Sequence, residues 1–267
     1  MTPRTSKNFS LQDVETLKKE NNTNKDSEKL QCLMVEIGKH LSRLVDTARP
    51  SRSPPFQPTL ALANRYEDGT QNVGPHSDFL ADLGPRPIIV GLSLGACRDF
   101  CISSKQQQQQ QQQPHNNKNE KKGRTKDDGK TAQYHNTLKD VSVRIPMCHN
   151  SAVVMWGECQ ELWDHSVPTC GEGSIGRNQT VGLVRYSLTF RMSCAGEIQR
   201  PKCYCDLPAE LKMRNGNYRW FCSPTGSHKS DDNSNNGRRR RIPCSFDEPS
   251  EWARLEAKRL EACEPIP

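Results

Sequence analysis

The sequence predicts a mainly β protein: an antiparallel double-sheet jelly roll with one flanking N-terminal helix and a small C-terminal module pinned by cysteines. Three observations predict it. Short apolar runs between positions 58 and 191 are broken repeatedly by Gly, Pro and Asn, as strands joined by turns are. One run, Val184 to Arg191, alternates strictly: Arg185, Ser187, Thr189 and Arg191 share one face, while Val184, Tyr186, Leu188 and Phe190 share the other. Beyond it, Cys203-x-Cys205, Cys222 and Cys244 lie in a segment with few large apolar residues, which needs a staple to fold.

Residues 1–28 are almost entirely polar and are expected to be disordered. They hold no basic stretch followed by an apolar run, so neither a secretory signal nor a membrane helix is read there. Asp13, Glu15 and Glu20 interrupt the basic residues, which argues against a transit peptide. A soluble intracellular protein is expected. Leu30, Leu33, Met34, Ile37, Leu41, Leu44 and Val45 recur at helical spacing and predict one amphipathic helix, stopped by Pro50, Pro54 and Pro55.

Pro58 to Asn64 leads into the first strand, and Pro87 to Gly95, an apolar run without charge, suits burial on both faces. Arg98 to Ser103, Lys139 to Ile145, Ser151 to Trp156 and Val181 to Arg191 read as further strands. Residues 105–136 begin with eight glutamines, Gln106 to Gln113, and continue through a basic cluster from Lys121 to Lys126. Such a segment buries too little apolar surface to offset its ordering entropy, so a disordered loop within one domain is expected. The domain then spans 29–192 and the module 200–254.

Only 33% of the 267 residues are hydrophobic and the net charge is +7, so much of the chain cannot be packed core. Twelve cysteines in a chain with no secretory signal argue for metal over a disulfide framework. Eight show no useful pattern: Cys32, Cys97, Cys101, Cys148, Cys159, Cys170, Cys194 and Cys263. Cys203, Cys205, Cys222 and Cys244 would complete a closed tetrahedral Zn(II) shell, a structural site with no position open for chemistry.

Chemistry is suggested by His76-Ser77-Asp78 and a distant His165. Two imidazoles and one carboxylate hold a non-haem Fe(II) while leaving positions open. On a strand, His76 and Asp78 would point to one side. Alternation in the Arg185 to Arg191 block would equally suit a solvent-facing strand. The order of the pieces decides: Asn64-Arg65-Tyr66, His76-x-Asp78, His165, Arg185, Arg191.

Asn64 to Gly69, Val73 to Asp78, Leu92 to Phe100 and Arg185 to Arg191 together resemble the AlkB-like Fe(II)/2-oxoglutarate dioxygenases, over roughly residues 55 to 192 less the insertion. The resemblance implies a double-stranded β-helix and the oxidative dealkylation of alkylated nucleic-acid bases, with formaldehyde released. It implies His76, Asp78 and His165 as iron ligands, and Arg185 as partner of the far carboxylate of 2-oxoglutarate, with Asn64 and Tyr66 as its neutral companions. Arg191 would be the second arginine, beside Asp78. The chain departs from the pattern at Leu80, where better-known members carry a carboxylate that helps to read the base. A nucleotide-recognition lid upstream of the core is expected to be shortened or missing.

Cys203-Tyr204-Cys205, Gly216 to Cys222 and Cys244-Ser245-Phe246 resemble the GRF-type zinc finger, associated with single-stranded nucleic acid and found after AlkB-like domains among fungal homologues. Ser227 to Arg241 is spliced in before the last cysteine, and Trp252 follows Phe246 at a longer distance than usual. Arg238 to Arg241, with Tyr218, Trp220 and Phe221 as stacking surfaces, is the charge-plus-aromatic combination of single-strand binding. The arginine run also suits a nuclear import signal. The expected protein is a nuclear, monomeric dealkylase of single-stranded or alkylated DNA, with RNA equally accommodated. The alternatives are a catalytically weak nucleic-acid binder and a protein side-chain oxygenase. The intact ligand set favours chemistry, and the basic finger favours nucleic acid.

Overall fold

The computed structural model describes residues 5–11, 25–48, 55–105, 141–194, 198–222 and 244–262. Strands β2 (Leu60–Tyr66), β4 (Ile89–Gly95), β7 (Ser151–Met155) and β9 (Arg185–Arg191) form one sheet in the order β2-β9-β4-β7. Strands β3 (Val73–His76), β5 (Arg98–Ser104), β6 (Ser142–Met147) and β8 (Trp163–Val167) form the other, in the order β3-β8-β5-β6. Every ladder is antiparallel, and the chain crosses repeatedly between the sheets. That order makes the fold a jelly roll, as expected.

The faces of β9 explain how the layers pack. Leu188 and Phe190 join Ala61 and Val90 on the outer face, covered by Met34, Leu41 and Val45 of helix α1 (Lys25–Ala48). These helical positions recur every three or four residues and make one buried stripe. The helix starts before the predicted Leu30, and Leu30, Leu33 and Leu44 are exposed, so the covered stripe is narrower than their spacing suggests. Between the sheets, Tyr66, Ile89 and Met155 meet Leu83, Phe100, Met147 and Val167.

Two expectations are overturned. Residues 1–28 are not disordered throughout: Thr5–Ser10 forms β1, paired along β2 from Thr5↔Arg65 to Ser10↔Leu60, and Phe9 is buried beneath α1. Edge pairing uses backbone groups, so a polar sequence suffices. Cys97 and Cys148 form a disulfide, because Arg98 and Met147 are cross-strand partners and the cysteines flank them at the end of that ladder. The glutamine run, its basic cluster and Arg238 to Arg241 lie outside the described residues. Among the described residues no helix is long and apolar enough to cross a membrane.

The C-terminal part is a three-stranded sheet, β10 (Glu210–Arg214), β11 (Asn217–Phe221) and β12 (Asp247–Pro249), followed by helix α4 (Glu251–Glu261). It runs past the expected end at 254. Ser250 caps α4, its Oγ accepting from the Ala253 N–H at 3.4 Å. The core of this part holds Leu211, Tyr218, Trp220, Phe246, Ala253 and Ala257, and it includes Leu80 and Ala81 of the short helix α2 (Leu80–Leu83). The module is therefore packed directly on the jelly roll.

Candidate functional site

The register of β3 and β8 places His76 opposite His165. Their rings lie 4.3 Å apart. Strand β3 ends at His76, so Asp78 is not held by the ladder as strand spacing predicts. Two contacts from elsewhere position it instead. Its backbone N–H donates to Gln160 Oε1 at 2.9 Å, and Arg191 Nε donates to its Oδ2 at 2.6 Å. Ligand atoms of His76, Asp78 and His165 all lie within 4.8 Å of one another.

The protonation states fit a metal. The Gly74 carbonyl can only accept, so the 2.9 Å contact from His76 Nδ1 puts the proton there. His76 Nε2 then presents its lone pair, 3.9 Å from Asp78 Oδ1. The arginine engages the other carboxylate oxygen, leaving Oδ1 for a cation. Burial, reinforced by His76 and opposed by Asp78, pushes His165 down to about 4, so its imidazole is neutral at physiological pH. A neutral imidazole is the ligating form.

Arg185 lies on the same inner face of β9, six positions before Arg191, and is only 2% exposed. Its Nε donates to Ser93 Oγ at 3.0 Å, while Nη1 is buried with no partner. Burial lowers its pKa, opposed by Tyr66, whose ring lies 5.4 Å from the guanidinium carbon. A buried guanidinium nitrogen without an acceptor suits a carboxylate. Asn64, paired with Ser187 across β2 and β9, accepts from Ser6 Oγ at 2.7 Å. The donor set therefore fits an Fe(II) bound by two histidines and a carboxylate, with a dicarboxylate co-substrate reaching Arg185.

Several contributors carried no assigned role in the sequence reading. Gln160 and Ser93 are fully buried and polar, yet neither stands out among neighbours in the chain. Arg98 lies in the Leu92 to Phe100 block. It donates to the carbonyls of Asp68 at 2.7 Å, Gln71 at 3.0 Å and Pro168 at 2.6 Å, tying the loop between β2 and β3 to the end of β8. Its guanidinium also faces the Tyr66 ring at 5.8 Å. Leu80 is buried in the module's core, so its place is explained by packing.

A second cluster joins Cys203, Cys205, Cys222 and Cys244, whose sulfur atoms lie within 4.8 Å of one another. Cys203 and Cys222 Sγ are 3.6 Å apart. Zinc–sulfur bonds of about 2.3 Å in a tetrahedron give sulfur–sulfur edges of about 3.8 Å, so the four thiols fit Zn(II). Turn contacts shape the first pair, with Asp206 N–H donating to Cys203 O and Cys203 N–H to Leu207 O, both at 2.9 Å. Tyr218, Trp220 and Phe221 are buried, which corrects the expectation that they offer stacking surfaces. Tyr218 and Trp220 belong to the module's core, Phe221 is covered by the Arg214 guanidinium 4.1 Å from its ring, and Tyr204 and Trp252 are exposed.

The human DNA oxidative demethylase ALKBH2 is 29% identical to this chain over 132 residues, 49% of this chain and 38% of that protein. The Arabidopsis thaliana DNA oxidative demethylase ALKBH2 is 33% identical over 131 residues, 49% of this chain and 36% of that protein. The chain thus spans about two fifths of the length of these curated relatives. A solved structure of OsALKBH1 superposes with a TM-score of 0.38 at 15% identity, covering 59% of this chain and 63% of that one. The order of strands, not that likeness, carries the fold. Residues 3–191 match the family described as the 2OG-Fe(II) oxygenase superfamily, and they include both jelly-roll sheets, the His–Asp–His cluster and both arginines. The match and the geometry agree: the chain belongs to the 2OG-Fe(II) oxygenase superfamily and is AlkB-like within it.

Proposed function

We propose that this chain is a 2-oxoglutarate-dependent dioxygenase that removes alkyl groups oxidatively from nucleic-acid bases. The observation that carries the reading is the convergence of His76, Asp78 and His165 beside Arg191, with the unpartnered Nη1 of Arg185 on the same inner sheet face. The names of the ALKBH2 relatives supply the substrate class.

His76, Asp78 and His165 would hold Fe(II), and Arg185 would take the far carboxylate of 2-oxoglutarate, with Tyr66 and Asn64 as neutral neighbours. When bound, iron and co-substrate would supply the oxidising chemistry, in which dioxygen gives one oxygen atom to an N-alkyl carbon and the other to 2-oxoglutarate, which is released as succinate and carbon dioxide. The chain's own residues orient and neutralise. Gly74 fixes the His76 tautomer, burial keeps His165 neutral, and Arg191 restricts Asp78 to one free oxygen. Ser93 aims the Arg185 fork. The hydroxymethylated base then sheds formaldehyde.

Cys203, Cys205, Cys222 and Cys244 would hold Zn(II) in a closed shell, and the arginine run would add affinity for a single strand through its phosphates. DNA is the partner the relatives favour, with RNA chemically equivalent at an N-methyl group, and a nuclear, monomeric enzyme completes the proposal. The test is formaldehyde release from methylated single-stranded oligonucleotides with Fe(II) and 2-oxoglutarate. Release that stops without either addition supports it. Release equal in the His76→Ala variant rejects it.

A further inference from the structure

The segment after His76 has two supports, one on each side. On the first, Asp78 N–H donates to Oε1 of Gln160, a residue of helix α3 (Cys159–Leu162) that is 0% exposed. On the second, Leu80 and Ala81, two and three positions beyond Asp78, are buried in the core shared with Leu211, Tyr218, Trp220, Cys203 and Cys222. The two supports meet at Glu161, the neighbour of Gln160. Its Oε1 accepts both the Tyr218 hydroxyl at 3.0 Å and the Arg86 N–H at 2.6 Å. Arg200 adds an ion pair to Asp82 at 3.4 Å, and the Cys194 N–H donates to the Asp82 carbonyl at 2.7 Å.

We propose that the cysteine module is a working part of the oxygenase centre, with Tyr218 and Gln160 as positioning residues that hold the Asp78 segment through Glu161 and the Leu80 contact. It rests on the reading of His76, Asp78 and His165 as Fe(II) ligands. Asp78 stands beyond the end of its strand, so the β-ladder does not fix it, and a carboxylate must be held in place to complete a three-ligand site. The module occupies the flank of α2, where Leu80 makes an apolar docking contact. Its sequence of effect is short: the thiol cluster orders β11, β11 carries Tyr218, Tyr218 holds α3, and α3 carries the side chain that holds Asp78.

The experiment uses the full, zinc-loaded chain and Co(II) as a spectroscopic probe of the His–Asp–His site, titrated by its visible absorption without turnover. Tyr218→Phe deletes one hydroxyl and keeps the ring, while Gln160→Met deletes the acceptor and keeps the bulk. Each is expected to weaken Co(II) binding by about five- to tenfold, the scale of one lost hydrogen bond. The double variant is expected to weaken it by less than the product of the two, because both act on one segment. The apparent KM for 2-oxoglutarate should change little, since Arg185 sits on β9 and outside the relay. If both single variants bind Co(II) like the wild type while His76→Ala does not, the relay is wrong and the iron site stands. The same holds if the two effects multiply fully. If His76→Ala retains the Co(II) signal, the iron reading itself falls. Should Tyr218→Phe fail to fold, Gln160→Met decides together with the wild type's Co(II) affinity followed before and after zinc removal, and a wild-type affinity independent of zinc overturns the proposal.

Discussion

Glu161→Gln is expected to convert a pH-dependent penalty into a pH-independent one. Glu161 is 4% exposed, and its Oε2 is buried with no partner. Burial pushes its carboxyl from the ordinary 4.5 up to about 7, against the bonds from Arg86 and Tyr218, while the nearby Glu158 pushes in the same direction as burial. A carboxyl with a raised folded pKa binds its proton more tightly in the folded state, so between pH 4.5 and 7 the folded chain holds more protons than the unfolded one. Stability attributable to this group therefore falls as pH rises through that window and is level on either side. The interval from 4.5 to about 7 corresponds to on the order of 3 kcal/mol. Denaturant unfolding of wild type and Glu161→Gln at closely spaced pH values measures it, because every other titrating group cancels in the difference. The difference should shift in favour of glutamine by roughly that amount between pH 4.5 and pH 8. A difference that stays constant across the range refutes the argument and would mean that solvent reaches Glu161.

Four further outcomes are expected. His76→Ala, Asp78→Ala and His165→Ala should each abolish iron-dependent formaldehyde release while leaving the circular dichroism spectrum nearly unchanged. Arg185→Lys should raise the 2-oxoglutarate concentration for half-maximal rate by about 10- to 100-fold, because a point charge cannot reproduce the guanidinium fork, and iron binding should be less affected. Cys222→Ser or strong chelation should release zinc from the cysteine cluster, read by a zinc dye, and should lower the melting temperature of the whole chain, because Leu80 shares the module's core. Replacing Arg238 to Arg241 with serine should flatten the salt dependence of oligonucleotide binding, measured by fluorescence anisotropy, while leaving formaldehyde release from saturating substrate intact.

The alternating strand was the most legible part of this chain, since Arg185, Ser187, Thr189 and Arg191 do share the inner face and Leu188 and Phe190 the outer one. The metal-type cluster was legible through residue order. Sequence reasoning did not reach the support around it. Asp78 is held by Gln160, 82 positions away, and a glutamine carries no periodic or compositional mark of such a role. Strand β1 escaped notice because edge pairing needs only backbone groups. Leu80 was visible as a departure, but its packing against the module depends on two segments meeting in space. From that contact, a chain cut near Met192 should lose stability, although the sequence divides there into a domain ending at 192 and a module beginning at 200.

The order of the larger sheet also sets a timetable for synthesis. Strand β9 lies between β2 and β4, so the first and third jelly-roll strands have no shared neighbour until almost the whole domain has left the ribosome. At translation rates of about 5–20 residues per second, the wait between β2 and β9 is on the order of ten seconds. Throughout it, the apolar run Ile89 to Leu94 has its β9 edge open, and the outer residues Ala61 and Val90 lack the Phe190 that later joins them. Open strand edges of this kind invite pairing with other nascent chains. Because His165 comes from β8, made late as well, the nascent chain also passes through most of that interval before the His–Asp–His cluster can form.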